Sequence, residues 1–127
     1  DICVIDLNSG AGKFIKAGAS WAYVIRGGKI RAVRAGALPV GILAEAETEH
    51  TSMEFKSEDI IIMLTDGVWD IMEQHGRELW LLERVRELKS KNPSEIADYI
   101  LSQARLAAAG EEKDDMTVLA ARVWELP

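Results

Sequence analysis

A chain of 127 residues, 48% hydrophobic and 28% charged, is one domain or part of one, with enough apolar mass for a core. Its 21 acidic residues outnumber 15 basic ones and no long Lys/Arg run occurs, which argues against binding along a nucleic-acid backbone. The single cysteine, Cys3, excludes an intrachain disulfide, and no apolar run reaches the roughly 18 residues that span a bilayer.

Residues 2–7 read as a strand, 8–10 (Asn-Ser-Gly) as a turn and 13–17 as the returning strand. Cys3 lies in the first of these runs and reads as a small buried hydrophobe. Residues 20–26 and 29–33, joined by Gly27-Gly28, read as a second hairpin with a primed turn. The first third is therefore expected to be an antiparallel meander. The chain opens mid-strand, with no Met and no polar lead-in, and reads as cut from something longer.

Residues 36–43 combine two Gly and one Pro with apolar Leu38, Val40, Ile42 and Leu43. Such a loop is a connector pinned to the core or a surface that binds something. Residues 47–55 alternate as a strand, and 56–58 turn.

Residues 60–64, Ile-Ile-Ile-Met-Leu, have no polar alternation and read as a strand buried on both faces. The run ends in Thr65-Asp66-Gly67. A carboxylate at the end of a buried strand needs a partner: a hard metal ion, a basic side chain or the N–H groups of a helix start. Gly67 permits a close backbone approach there.

The period then changes. Residues 67–73 fit a helical turn or two. Residues 77–91 place Leu79, Leu82, Val85 and Leu88 at three-residue steps, an amphipathic helix. Asn92-Pro93-Ser94-Glu95 is a start signal, with Asn92 as N-cap and Glu95 reaching back as in a capping box. That helix runs to about residue 109, with Ile96, Tyr99, Ile100, Ala104 and Ala107 on one face, and Gly110 stops it. Residues 111–115 read as a charged loop and 116–124 as a last strand.

Strands followed by two helices and a returning strand make an α+β arrangement. If the last strand lies beside 60–64, Asp66 meets Asp114 and Asp115, and such carboxylates stay ionised together mainly around a cation. Oxygen-only ligands select Mg²⁺ or Mn²⁺. On spacing alone, Asp114 and Asp115 are equally an acidic loop at a strand start. His50 and His75 show no ligand spacing and read as solvated. The four Trp and four Met read as packing residues.

Leu64-Thr65-Asp66-Gly67-Val68-Trp69-Asp70 resembles a signature of the metal-dependent serine/threonine phosphatases of the 2C type (PPM), and Lys113-Asp114-Asp115-Met116-Thr117-Val118-Leu119 resembles their closing motif. The 36–43 loop and the hairpins at 8–10 and 26–29 are similar to the bacterial branch typified by stage II sporulation protein E. The resemblance implies an α/β-β/α sandwich with mainly antiparallel sheets and flanking helices, two of them in this chain. It implies a binuclear Mn²⁺ or Mg²⁺ site and attack of a metal-activated water on phosphoserine or phosphothreonine. Carried onto this chain, it makes Asp66 and Asp114 the catalytic metal ligands, with Asp115 as a further ligand candidate. Thr117 supports the strand, and Asp70 is expected to cap the following helix.

The family's opening Asp-Gly motif, which bridges both metals, has no counterpart before Asp66. Residues 1–127 are therefore expected to be the C-terminal portion of the domain, with poor activity alone. The implied substrate is a small phosphorylated regulatory protein, an anti-anti-sigma factor, in the cytoplasm. No nucleic acid and no membrane contact by this segment are expected, the parent chain is open to a membrane anchor, and a homodimer is compatible with the reading. The rival function is a non-catalytic interaction domain with the same fold.

Overall fold

A computed structural model describes residues 1–34, 36–45, 47–110 and 114–125. The Ile-rich run forms strand β6 (Ile60–Leu64), in which Ile60, Ile61, Ile62 and Leu64 are buried, as a strand covered on both faces requires. Ahead of it lie β1 (Ile2–Ile5), β2 (Ala11–Lys16), β3 (Ala22–Arg26), β4 (Lys29–Val33) and β5 (Glu49–Glu54). After it come α1 (Asp66–Glu73), α2 (Arg77–Leu88), α3 (Pro93–Ala108) and β7 (Val118–Arg122).

The described strands form two antiparallel sheets, one in the order β1-β2-β5 and the other β4-β3-β6-β7. This corrects the expected meander. Each predicted hairpin exists, Ile2 opposite Ile15 in one and Ile25 opposite Ile30 in the other, but the hairpins lie in different sheets. Strand β2 pairs next with β5, and β3 with β6. The chain leaves the first sheet through Gly18, at φ 69°, where an added Cβ would lie 2.5 Å from the Pro39 Cα. Glycine is thus required both by the left-handed backbone and by the close approach of the 36–43 loop. The primed turn is as expected, with Gly27 at φ 54° and Gly28 at φ 73°.

Two apolar layers hold this together. Phe14, Val24, Val33, Phe55, Ile61 and Val123 fill the space between the sheets. Tyr23, Ile62, Leu64, Val68, Met72, Leu81, Ile96 and Ile100 join the outer face of the four-stranded sheet to the helices. Three helices, not two, therefore flank it among the described residues, because the turns after Asp66 form a complete short helix. None is long and apolar enough to cross a membrane.

Two helix expectations need adjusting. Helix α2 buries Trp80 and Leu81 and packs Leu82, Val85 and Leu88 against the same core, as the ladder predicts, but leaves Leu79 exposed. Asn92 caps α3 by accepting from the Ser94 N–H at 3.0 Å, but Glu95 accepts from the Ser90 hydroxyl while the Asn92 N–H donates to that same hydroxyl, so the reciprocal half of the capping box is replaced.

An ion pair between a buried acid and a half-exposed arginine anchors the start of β6. Asp59 is 0% exposed. It accepts from Arg26 Nε at 2.7 Å and Arg26 Nη2 at 2.5 Å, and from the Lys56 N–H at 2.9 Å. These bonds satisfy a carboxylate that burial alone would penalise.

The remaining expectations sort by exposure. Cys3 is partly buried beside the inter-sheet core, and burial pushes its thiol pKa up, as befits a packing residue. His50 and His75 are exposed. Met72 is fully buried, but Trp124 is exposed, with the Arg122 guanidinium carbon 4.3 Å from its ring centroid.

Candidate active site

Strand β7 runs antiparallel to β6, with Leu64 opposite Val118. The end of β6 therefore meets the start of β7, and the two sequence motifs lie side by side. The ladder continues past the strands: the Thr65 N–H donates to the Thr117 carbonyl at 3.1 Å. The Thr65 hydroxyl donates to the Asp115 carbonyl at 2.9 Å and accepts from the Thr117 N–H at 2.8 Å. Sequence reasoning gave Thr65 no role, although a hydroxyl at a strand end is a standard splint for neighbouring backbone.

Gly67 follows at the first turn of α1. A Cβ there would lie 2.6 Å from the Asp115 carbonyl oxygen and 3.1 Å from that of Asp114. This is the close approach that the Asp-Gly pair suggested. Asp66, in the same turn, is favoured by the partial positive charge of the helix start. Asp66, Asp114 and Asp115 are all exposed, and the Asp114 carboxylate accepts from the Asp115 N–H at 2.7 Å. Thr117 supports the strand through its backbone, as expected.

Asp70 does not cap the helix that follows. Helix α1 begins at Asp66, so Asp70 sits one turn inside it. Asp70 lines a cleft of about 550 Å³ with Gly67, Ile71, Glu73, Asp114 and Met116. The first three residues of the expected charged loop, 111–113, including Lys113 of the closing motif, lie outside the described residues.

The donor set fits a hard divalent cation in chemistry, being carboxylate oxygen throughout, and in placement, at touching segments. In number it falls short: no group of three or more His, Cys, Asp or Glu side chains able to hold a metal forms among the described residues.

Beside the site, α1 is fastened by aromatic and cationic side chains whose pairing sequence did not suggest. Trp21 and Trp69 meet edge to face at 5.5 Å. The Arg77 guanidinium carbon lies 3.4 Å from the Trp69 ring centroid and 5.1 Å from that of Trp21, and Arg77 pairs with Glu73 at 2.6 Å. Tyr23 is buried beneath, and burial pushes its pKa up to about 12.

The 36–43 loop is less pinned than a core connector. Pro39 packs on Gly18, but Leu38, Val40, Ile42 and Leu43 are exposed.

The profile of the family described as stage II sporulation protein E matches residues 1–124. The chain is 34% identical over 126 residues to stage II sporulation protein E of Bacillus subtilis (strain 168), covering 97% of this chain and 15% of that protein. It is 34% identical over 124 residues to the same protein of Priestia megaterium, covering 97% of this chain and 21% of the relative. The solved phosphatase domain of the Bacillus subtilis cell fate determinant SpoIIE, from Mn-presoaked material, superposes with a TM-score of 0.82 and 32% identity, over 100% of this chain and 56% of that one. The chain thus spans 15% and 21% of the curated relatives and just over half of the solved domain. Its mixed α and β architecture is that of the 2C-type phosphatase domain, and the chain belongs to the stage II sporulation protein E family.

Proposed function

We propose that this chain is the C-terminal portion of a metal-dependent protein serine/threonine phosphatase domain, and that Asp66 and Asp114 are its contribution to the metal site. The observation that carries the reading is the packing of Gly67 against the Asp114 and Asp115 carbonyls, which brings both acidic motifs to one edge. Mn²⁺ or Mg²⁺, when bound, supplies the charge that activates a water and neutralises phosphoryl oxygens. The chain's own residues offer the carboxylate oxygens of Asp66 and Asp114, with Asp115 as a further candidate. The Asp115 N–H orients the Asp114 carboxylate, and Thr65 fixes the two segments to each other.

No Asp-Gly pair precedes Asp66 in these residues and the chain spans just over half of the solved domain, which supports a bridging ligand supplied from outside them. The 127 residues alone then bind metal weakly and turn over poorly. The proposed substrate is a phosphoserine or phosphothreonine on a small regulatory protein, an anti-anti-sigma factor, met in the cytoplasm. A membrane anchor elsewhere in the parent chain is compatible with this reading.

The test is Mn²⁺-dependent hydrolysis of a phosphoserine protein by the protein in the length its gene encodes, beside an Asp66→Asn twin. Hydrolysis by the first and its loss in the second is the expected result. The exposed apolar side chains of the 36–43 loop favour the second reading, a non-catalytic interaction domain. Folded protein that is inactive in both forms but binds a partner tightly would establish that reading instead.

A further inference from the structure

Among the described strands, β4 is an edge of one sheet and β5 an edge of the other. A cleft of about 400 Å³ is lined by residues of both, among them Lys29, Arg31, Met53 and Glu54, together with Val24 and Lys56. It lies at the end of the sandwich remote from Asp66: Arg26 ends β3 beside the start of β6, whereas Asp66 follows the end of β6.

The register of β4 places its cations here. Arg31 lies opposite Val24 and Lys29 opposite Arg26, so both share the face that Val33 uses to enter the inter-sheet core. An edge strand that continued this layer would carry apolar residues at those positions. It carries two cations instead. Arg26 is neutralised by Asp59, which also fixes its guanidinium, whereas Lys29, Arg31 and Lys56 have no ion-pair partner among the described residues. Glu54 is the one carboxylate in the lining among the described residues, in a chain of net charge −6. Val24 and Met53 give the cleft an apolar floor.

We propose that this cleft is a binding site for a phosphorylated small ligand, its phosphoryl oxygens held by Arg31, Lys29 and Lys56 and its organic body lying on Met53 and Val24. A guanidinium fork flanked by ammonium groups suits a phosphate dianion, and the volume is that of a small-molecule site. The inference is independent of the phosphatase reading, because it uses none of the residues at Asp66 or Asp114.

The experiment is calorimetric titration of the protein, in the length its gene encodes and with divalent metal chelated, against inorganic pyrophosphate and ADP. A parallel arm measures co-sedimentation with phosphatidylcholine vesicles, with and without phosphatidylglycerol. The expected result is saturable binding that weakens with salt and falls at least about tenfold in Arg31→Ala and Lys29→Ala, but not in Lys13→Ala, which removes the same charge from a different sheet. Circular dichroism confirms that each variant is folded. Binding of pyrophosphate and ADP identifies a soluble ligand, and phosphatidylglycerol-dependent sedimentation lost in the same variants identifies a lipid headgroup. Failure of all three probes, or binding unchanged by Arg31→Ala and Lys29→Ala, overturns the proposal. So does increased self-association of those variants with unchanged binding, which would make the cations guards of an exposed sheet edge.

Discussion

Gly67 and Asp115 are in such close contact that a single added carbon on Gly67 would stand 2.6 Å from the Asp115 carbonyl oxygen. The obstacle is backbone, which cannot swing aside as a side chain would. Gly67→Ala therefore pushes the start of α1 away from the loop before β7. The expected cost is about 1–3 kcal/mol of stability, the range for overpacking a close contact. Urea unfolding measures it. A Gly67→Ala protein as stable as its parent, with unchanged Mn²⁺ affinity, would remove this contact from the account of the site.

Thr65 holds the same junction from the other side. Its hydroxyl serves both the Asp115 carbonyl and the Thr117 N–H. Thr65→Val keeps the shape and deletes both bonds, so a loss of about 1–2 kcal/mol is expected. Thr65→Ser restores most of it. Denaturant midpoints of the three proteins provide the comparison, and equal midpoints for Val and Ser would show that the hydroxyl is idle.

The Asp59–Arg26 pair is costly to break because its acid is fully buried. Removing the guanidinium in Arg26→Ala takes two charge-assisted hydrogen bonds from a fully buried carboxylate and leaves it the Lys56 N–H. A loss of about 3–5 kcal/mol is expected, mostly the penalty of the orphaned charge. The double replacement with apolar residues should recover part of it. A thermal-melt cycle over the two singles and the double tests this, and a double variant no better than Arg26→Ala would contradict it.

Lys16 offers a pH signature. It is 1% exposed, its ammonium pairs with Asp1 at 2.6 Å, and burial lowers its pKa to about 8. Since the folded-state value lies below the unfolded one, the unfolded chain binds more protons between the two, and stability rises with pH from about 8 toward the ordinary lysine range. Lys16→Met removes that dependence. It should stabilise the protein at neutral pH by at most about 3 kcal/mol, less whatever the Asp1 pair contributes. Melting temperatures at pH 7 and pH 10 should converge for parent and variant, and a constant gap between them would refute the assignment.

What could be read in advance follows how local its cause is. The primed turn at Gly27-Gly28 and the Asn92 cap are decided within a few residues, and both are present. The end of β6 at Thr65-Asp66-Gly67 was legible because a buried apolar run that stops at a carboxylate is locally anomalous. The neighbour of β2 was not legible. Nothing near Lys16 says that the chain will leave the sheet at Gly18 and that β5, past a long loop, will take the place expected of β3. The Trp21–Arg77–Trp69 stack escaped for the same reason, since its members come from three separate parts of the chain. Leu79 was misassigned because a leucine ladder marks a candidate face without showing where packing along it starts: Leu82, Val85 and Leu88 pack on the core and Leu79 does not.

The pairing of β6 with β7 also bears on how the chain is made. The Thr65 and Thr117 bonds join residues 52 positions apart. At a synthesis rate of about 5–20 residues per second, β6 waits several seconds for that neighbour. During the wait, an Ile-rich strand has one unpaired edge, while its partner β3 already occupies the other. The nascent polypeptide thus passes through a sticky stage in which its most apolar strand invites any other extended segment nearby. The two acidic segments can meet only once β7 has paired with β6, and chaperone occupancy should peak just before β7 emerges.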